Sequence, residues 1–441
     1  MSPDLDVAVV GAGAAGLATA FALQRAGRSV QVFESADHVG GRMATLRHDG
    51  FVIDTGAEMI ATHGYPATWR LIHELGLSDE DVPRVAQPIS IWRKGRVHPD
   101  VGRPRGLATG AGLSARGRMA LIRFQGSIMA KARSFHPDFP EDTPLGDVTV
   151  EQLAGRYPRE LTDYMFQPIA GGFFGWQLDR SAAAAMVCLL IATKDTSNWR
   201  TYRDGMDTLA RKLAERVDVL TATPVREVVS GNGSPRLVTS QGELTARSVV
   251  VCVPAPQAAD LCRDCPEVER RFLEACTYAP MLRVSLELER PMTFLDQASA
   301  YVVLIPAAEN AVLSVMAIDQ NKEQGRSPES SGLVSLLTAP TATRELLDSS
   351  DDRIVLRVLE EGERYLPGLS QATKSSFVHR FPLGLPEATP EALRLRTDFM
   401  RRPARSVDFA GDWVMARPSS EGAIRSADIA AWRVMAHAGD G

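Results

Sequence analysis

Hydrophobic and polar positions along this chain fall into two periods. Residues 7–10 form an unbroken apolar, mostly β-branched run, which predicts a strand buried on both faces of a parallel sheet. Residues 17–26 carry apolar side chains at helical spacing and stop at Gly27. A second strand is predicted at 29–33, ending on Glu34. Helices are predicted at 68–76, 150–157 and 160–169, and over the apolar stretch 182–193, which is too short to cross a bilayer. Asp204-Gly205-Met206-Asp207 caps a helix running to Glu215. Strands follow at 217–220 and 224–229, with a hairpin through Asn232-Gly233 and Gln241-Gly242. Residues 247–254 read as the apolar central strand of the parallel sheet. Another hairpin centres on Lys94-Gly95. Further on, strands are predicted at 282–288, 301–305, 311–318 and 377–382, one helix at 345–365, and a polar, mobile loop at 321–331. Phe409 closes a strand, and Ser419-Ser420 opens the last helix.

A chain of 441 residues suits one very large domain or two interleaved ones. The net charge of −5 argues against general nucleic-acid binding. There is no apolar run of about 18 residues, and Met1-Ser2-Pro3-Asp4 leads almost directly into a strand, so a cytoplasmic protein with no membrane span is expected. Against the overall acidity, residues 103–136 contain no Asp or Glu, while Arg116, Arg118, Arg123, Lys131 and Arg133 alternate with apolar residues. This basic amphipathic stretch reads as a solvated helix. The alternative is a surface for peripheral membrane contact or for guiding an anionic or lipidic substrate. Of five cysteines, Cys262 and Cys265 form a C-x-x-C with no second pair and no nearby histidine, so no metal site is expected and they read as incidental thiols.

Gly11-Ala12-Gly13-Ala14-Ala15-Gly16 joins the first strand to the first helix. Gly11 allows the sharp turn, Gly13 lets a pyrophosphate approach the backbone, and Gly16 lets helix and strand pack closely. The helix N-terminus offers free N–H groups to phosphate oxygens. Glu34 ends the second strand eighteen residues after Gly16, where an acid accepts the hydroxyls of an adenosine ribose and repels a 2′-phosphate.

Two continuations separate FAD from NAD. Gly40-Gly41-Arg42 follows the ribose acid and precedes Gly50-Phe51-Val52-Ile53-Asp54-Thr55-Gly56-Ala57; near the C-terminus stand Phe409-Ala410-Gly411-Asp412-Trp413 and Glu421-Gly422-Ala423-Ile424. Here the chain resembles the flavin-dependent amine oxidase superfamily, which includes amine oxidases, protoporphyrinogen oxidases and phytoene-type desaturases. The resemblance implies non-covalent FAD, since no cysteine follows Cys276. It places Gly40, Gly41 and Arg42 beside the pyrophosphate, with Ser35, Met43, Gly56 and Ala57 in the same site. It also sets the backbone of Val225 against adenine, Asp412 at the ribityl–phosphate region beside Gly411, and the N–H groups of Gly422, Ala423 and Ile424 at the flavin pyrimidine edge. The fold it implies is α/β: a Rossmann-like FAD-binding domain (1–76, 203–260, 395–441) interleaved with a mixed α+β substrate-binding domain (77–202, 261–394).

Candidate chemistry beyond the cofactor is sparse. Glu58 follows the D-T-G-A turn and is a candidate base or amine anchor. Arg283 stands where many amine oxidases carry a lysine, and an arginine cannot act as a base. Phe173, Phe174, Trp176 and Trp413 are candidates for an apolar substrate pocket. Ser419 and Ser420 occupy the place of an aromatic cage wall in the resembling enzymes. The expected activity is removal of a hydride from carbon next to nitrogen in an amine or amide, with O2 as acceptor giving H2O2. C–C dehydrogenation of the porphyrinogen or polyene type is the alternative, and a flavin-bound protein without turnover is a third. The partner is a small-molecule substrate. Oligomeric state stays open, a homodimer being one option.

Overall fold

The computed structural model describes residues 3–99, 101–231 and 233–439. Two seven-stranded sheets dominate it. The first runs in the order Asp218–Leu220, Val30–Phe33, Leu5–Val10, Gly242–Val251, with Val407–Phe409 on the far side of Gly242–Val251. These five strands are parallel, and residues 7–10 and 249–251 are wholly or almost wholly buried. The unbroken apolar runs are therefore explained: both faces of the sheet are covered. The front half of Gly242–Val251 does a second job, pairing antiparallel with Arg236–Thr239, which pairs with Val225–Val229. The predicted turn residue Asn232 lies outside the described residues.

Helix Ala14–Arg25 packs against the last helix, Ser420–Gly439, through Leu17, Ala18, Ile424, Ala427 and Ala430. Small side chains let the two axes approach closely. Helices Glu267–Ala275 and Pro390–Arg401 pack with the first sheet, where Phe272, Phe399, Phe409 and Trp413 form an aromatic cluster.

The second sheet runs in the order Thr373–Glu387, Thr277–Leu288, Gly332–Thr338, Leu313–Ile318, Val302–Leu304, Ile89–Arg93, Arg96–His98. It is antiparallel except where Val302–Leu304 meets Ile89–Arg93. The hairpin at Lys94-Gly95 forms as predicted, both residues having positive φ (52° and 78°).

Several expectations change. The helix predicted over 345–365 is two, Pro340–Leu346 and Asp351–Gly362, because Pro340 starts one and the Asp348-Ser349-Ser350 segment interrupts the pattern. Residues 160–169 do not form a regular α-helix; wide π-helical turns occupy Thr162–Phe166 and Pro168–Phe173, where Pro168 removes an amide donor. The strand expected at 377–382 is part of the fifteen-residue Thr373–Glu387. Gly332–Thr338 and Pro390–Arg401 were not anticipated. The segment 321–331, expected to be mobile, is pinned by fully buried Lys322 and Arg326. Among the described residues, no helix is long and apolar enough to cross a membrane.

Candidate active site

Where the Leu5–Val10 strand ends, the chain makes the turn that its glycines allow. Gly11 has φ +101°, and an added Cβ would lie 3.1 Å from Cys252 O. A Cβ on Gly16 would sit 1.8 Å from Gly11 O, so helix and turn touch backbone to backbone. Gly13 is different: a Cβ there meets nothing within 4 Å. It is the open floor of a cradle, roofed by Gly40 and Gly41. Gly40 N–H donates to Ala12 O (2.9 Å), Gly13 and Gly40 form an isolated bridge, and Gly40 and Gly41 have positive φ. Glu34 accepts from Ala12 N–H (2.6 Å), Ala36 N–H (2.9 Å) and the Ser35 hydroxyl (3.2 Å), which fixes its carboxylate at the strand end.

The cradle opens into one cavity of about 1700 Å³ that continues between the two sheets. It collects Gly11, Gly13, Ala14, Ala15, Glu34, Ser35, Gly40, Gly41, Arg42, Met43, Gly56, Ala57, Glu58, Val225, Arg283, Gly411, Asp412, Trp413 and Ala423 from distant parts of the chain. Gly16, Gly422 and Ile424 are not in its wall. Gly16 is closed off by Gly11, and Ile424 is fully buried against the first helix. The amides of Gly422 and Ala423 are already donated, to Ser419 Oγ (3.2 Å) and Ser419 O (3.0 Å). The helix tip at the cavity is thus Ser419 and Ser420, two to five residues earlier than expected, because the helix begins at Ser420 and its third amide is capped.

Arg42 forms a bidentate pair with Asp412, Nη1 to Oδ2 2.9 Å and Nη2 to Oδ1 2.8 Å, and Nη1 also donates to Gly384 O. Away from the cradle the wall is largely apolar: Phe173 and Phe174 stand with Ile91, Leu121, Leu304 and Val315. Trp176 does not join them. It is 1% exposed, with its indole N–H donating to Pro386 O (2.9 Å), so it is core. Trp413 touches the cavity from the first sheet's side, and its indole N–H donates to Val253 O.

Glu58 and Arg283 meet at the cavity wall as an ion pair. Neither is free. Arg283 Nη2 also donates to Ser335 Oγ (2.7 Å) and lies 3.5 Å from Asp319, while its Nε faces Ser285 Oγ (3.4 Å). The second oxygen of Glu58 accepts from the Tyr301 hydroxyl and from Lys322 Nζ (2.7 Å). Lys322 Nζ also donates to Asp54 Oδ2 (2.6 Å), and Arg326 Nη1 stands 2.9 Å from the same oxygen. Burial brings the Lys322 ammonium down to about 8 against the opposing pull of Asp54. Burial pushes the Asp54 carboxyl up, yet Lys322 and Arg326 outweigh it and hold it well below the usual carboxylate range. A Glu58 carboxylate with three donors is a network anchor rather than a vacant base. Sequence reasoning missed the roles of Asp54, Tyr301, Asp319 and Lys322 in this network; Asp54 stood within the Gly50–Ala57 motif, and Lys322 and Arg326 in a loop expected to be polar and mobile.

Elsewhere, burial pushes the Cys265 thiol up to about 11 and Cys262 higher still, which disfavours a reactive thiolate pair.

An open glycine cradle at a strand-to-helix turn, a carboxylate fixed at the end of the next strand and a chamber lined from both sheets have the form of a dinucleotide-cofactor oxidoreductase. The chain belongs to the family described as flavin containing amine oxidoreductase, whose model matches residues 14–435. It is an FAD-dependent oxidoreductase. Coproporphyrinogen III oxidase of Propionibacterium freudenreichii subsp. freudenreichii is 26% identical over 83% of this chain and 79% of its own length. The 15-cis-phytoene desaturase of Synechococcus elongatus is 24% identical over 98% of this chain and 96% of its own. Among solved structures, a putrescine oxidase bound to putrescine superimposes with a TM-score of 0.79 at 20% identity, covering 98% of this chain and 99% of that one. The cyclohexylamine oxidase of Brevibacterium oxydans gives 0.78 at 18% identity, with the same shares covered. These superpositions show a shared fold.

Proposed function

We propose that the protein oxidises a bulky, mostly apolar substrate by hydride removal from carbon, with non-covalent FAD along the cavity and O2 as the final acceptor. The observation that carries this is the chamber itself. Its volume of about 1700 Å³ exceeds the about 300–1,000 Å³ usual for a single small-molecule pocket. It therefore has room for a dinucleotide at the glycine cradle and an apolar substrate beside it.

The residues fit the cofactor. Gly13, Gly40 and Gly41 leave backbone open for a pyrophosphate, Glu34 is preset for a ribose, and Val225 lines the adenine end. Asp412 holds Arg42 so that its charge faces the same groove. Bound FAD would supply the two-electron acceptor. The Ser419–Ser420 helix tip would hold negative charge at the cavity wall through its dipole. Phe173 and Phe174 would orient an apolar substrate and exclude water. In this reading residues 1–76, 203–260 and 395–441 hold FAD, and 77–202 and 261–394 build the substrate chamber.

Within that reading, dehydrogenation between carbons is favoured over oxidation at C–N. Glu58, a carboxylate in the chamber wall, is occupied by Arg283, Tyr301 and Lys322, so it does not offer an anchor for an ammonium. C–N oxidation of an amine or amide remains the second reading. It draws on Asp195, which lines the chamber and whose carboxyl is held below its ordinary value by the Ser197 amide, leaving an anion for a cationic substrate.

The test is an absorbance spectrum of the purified protein, then anaerobic mixing with porphyrinogens, polyenes, amines and amides. Bleaching of a flavin band by a porphyrinogen or polyene supports C–C dehydrogenation. Bleaching by amines or amides alone moves the assignment to C–N. A protein that holds no flavin after addition of FAD refutes both.

A further inference from the structure

Helix Ala115–Met129 is at once a wall of the chamber and a piece of the outer surface. Its inner face supplies Leu121, Phe124 and Ile128 to the cavity. Its outer face is unusual for a solvated helix. Met119, Ile122 and Met129 are 66%, 44% and 68% exposed. At 3.6 residues per turn these three fall, with Gly126, on a single outward stripe. Arg118 borders the stripe on one side and Arg116 and Arg123 on the other, all exposed. Lys131 and Arg133 extend the positive charge past the helix end, and no acidic residue occurs between 103 and 136, in a chain of net charge −5. Glu160, on the packed neighbour Arg159–Leu161, is engaged by the Ser114 amide and hydroxyl at the helix cap. Met129 is both exposed and part of the cavity lining, so the apolar stripe runs to the chamber's edge.

We propose that this helix is a docking face for an anionic lipid surface, lying in the interface with its methionine and isoleucine side chains inserted and its arginines on lipid phosphates. Apolar side chains flanked by basic ones suit a membrane boundary, where the apolar atoms leave water and the cations meet headgroups. A protein partner would need no flanking rows of cations, and a second copy would bring those rows against each other. The face meets the chamber, so an apolar substrate would pass from lipid to cavity along Met129 without crossing water. The docking inference holds whichever bond is oxidised, and it is read separately from flavin chemistry.

The experiment is flotation of the full chain with phosphatidylcholine vesicles and with phosphatidylcholine/phosphatidylglycerol vesicles, beside light scattering in solution. The expected result is binding to the anionic vesicles only, weakened by added salt. It should be lost in the Met119→Glu/Ile122→Glu variant and in the Arg116→Glu/Arg123→Glu variant, with circular dichroism and melting unchanged. The inference is overturned if the anionic vesicles leave the protein behind, or if both variants float like the parent. It is also overturned if the parent is a dimer that Met119→Glu/Ile122→Glu dissociates. A protein that floats but is bleached by no substrate would sink the proposed function and leave the docking face standing.

Discussion

Arg42 and Asp412, 370 positions apart in the chain, close a two-pronged ion pair with both contacts at 2.8–2.9 Å. The pair ties the glycine-rich beginning of the chain to its last strand–helix unit on the wall of the same cavity. Asp412 is nearly inaccessible, whereas Arg42 keeps a third of its side chain exposed. Replacing Asp412 by Asn should therefore cost about 2 kcal/mol of stability, less than a fully buried pair would, because water reaches the guanidinium. Flavin retention through gel filtration should fall with it. Unchanged retention would separate this pair from cofactor binding.

Gly13 and Gly16 should part company on substitution. Gly16→Ala places a methyl 1.8 Å from Gly11 O, which forces backbone apart and should destabilise by about 3 kcal/mol or more. Gly13→Ala meets nothing within 4 Å and sits at φ −78°, so the fold should melt as before. Yet the added methyl fills the cradle, and FAD affinity should drop at least about tenfold, by about 1.4 kcal/mol. Melting curves with and without added FAD check both halves.

For Glu58→Gln, the network predicts a stability effect larger than the catalytic one. Removing the charge shared by Arg283 and Lys322 should cost about 3 kcal/mol. Turnover should fall less than about tenfold, with its pH profile kept, whereas loss of a true general base costs about 10²–10⁴-fold. A large kcat loss with an altered pH profile would restore Glu58 as the base.

Acid stability should be lost in two stages. Burial, then the positive charge of Arg283, brings the His379 imidazole from its ordinary 6.5 to about 4. The unfolded chain takes up this proton first, so stability falls between pH 6.5 and 4 and the effect then levels off, amounting to roughly 3 kcal/mol at most. Asp54 acts lower down. Its depressed carboxyl contributes stability that is present at neutral pH and disappears as pH drops below its ordinary 3.8. Urea unfolding across pH should show both stages, and His379→Leu should abolish the upper one alone. Persistence of the upper stage in that variant would assign it to another group.

The cradle was legible because its chemistry is contiguous. Gly11, Gly13 and Gly16 answer to backbone geometry within one turn, and Glu34 closes the next strand, so spacing along the chain is spacing in space. The Lys94-Gly95 hairpin was legible for the same reason, a local positive-φ requirement. Matters differed where a residue's meaning depends on what packs against it. Trp176 follows Phe173 and Phe174 closely in sequence, yet only the course of Thr373–Glu387 brings Pro386 O within reach of its indole and makes it core. Gly332–Thr338 was missed because a strand buried on all sides by its neighbours carries no alternation of its own.

What the chain determined by itself is the parallel-sheet fold of its first domain and the glycines that open backbone at its first turn, since those depend on steric freedom and hydrogen-bond donors held within a few positions. Only the tertiary structure decided that Asp54, Glu58, Arg283, Tyr301 and Lys322 share one buried network. A charged side chain leaves water only when a partner from elsewhere in the fold compensates it, and the choice of that partner is made by the packing of the two sheets rather than by any local pattern.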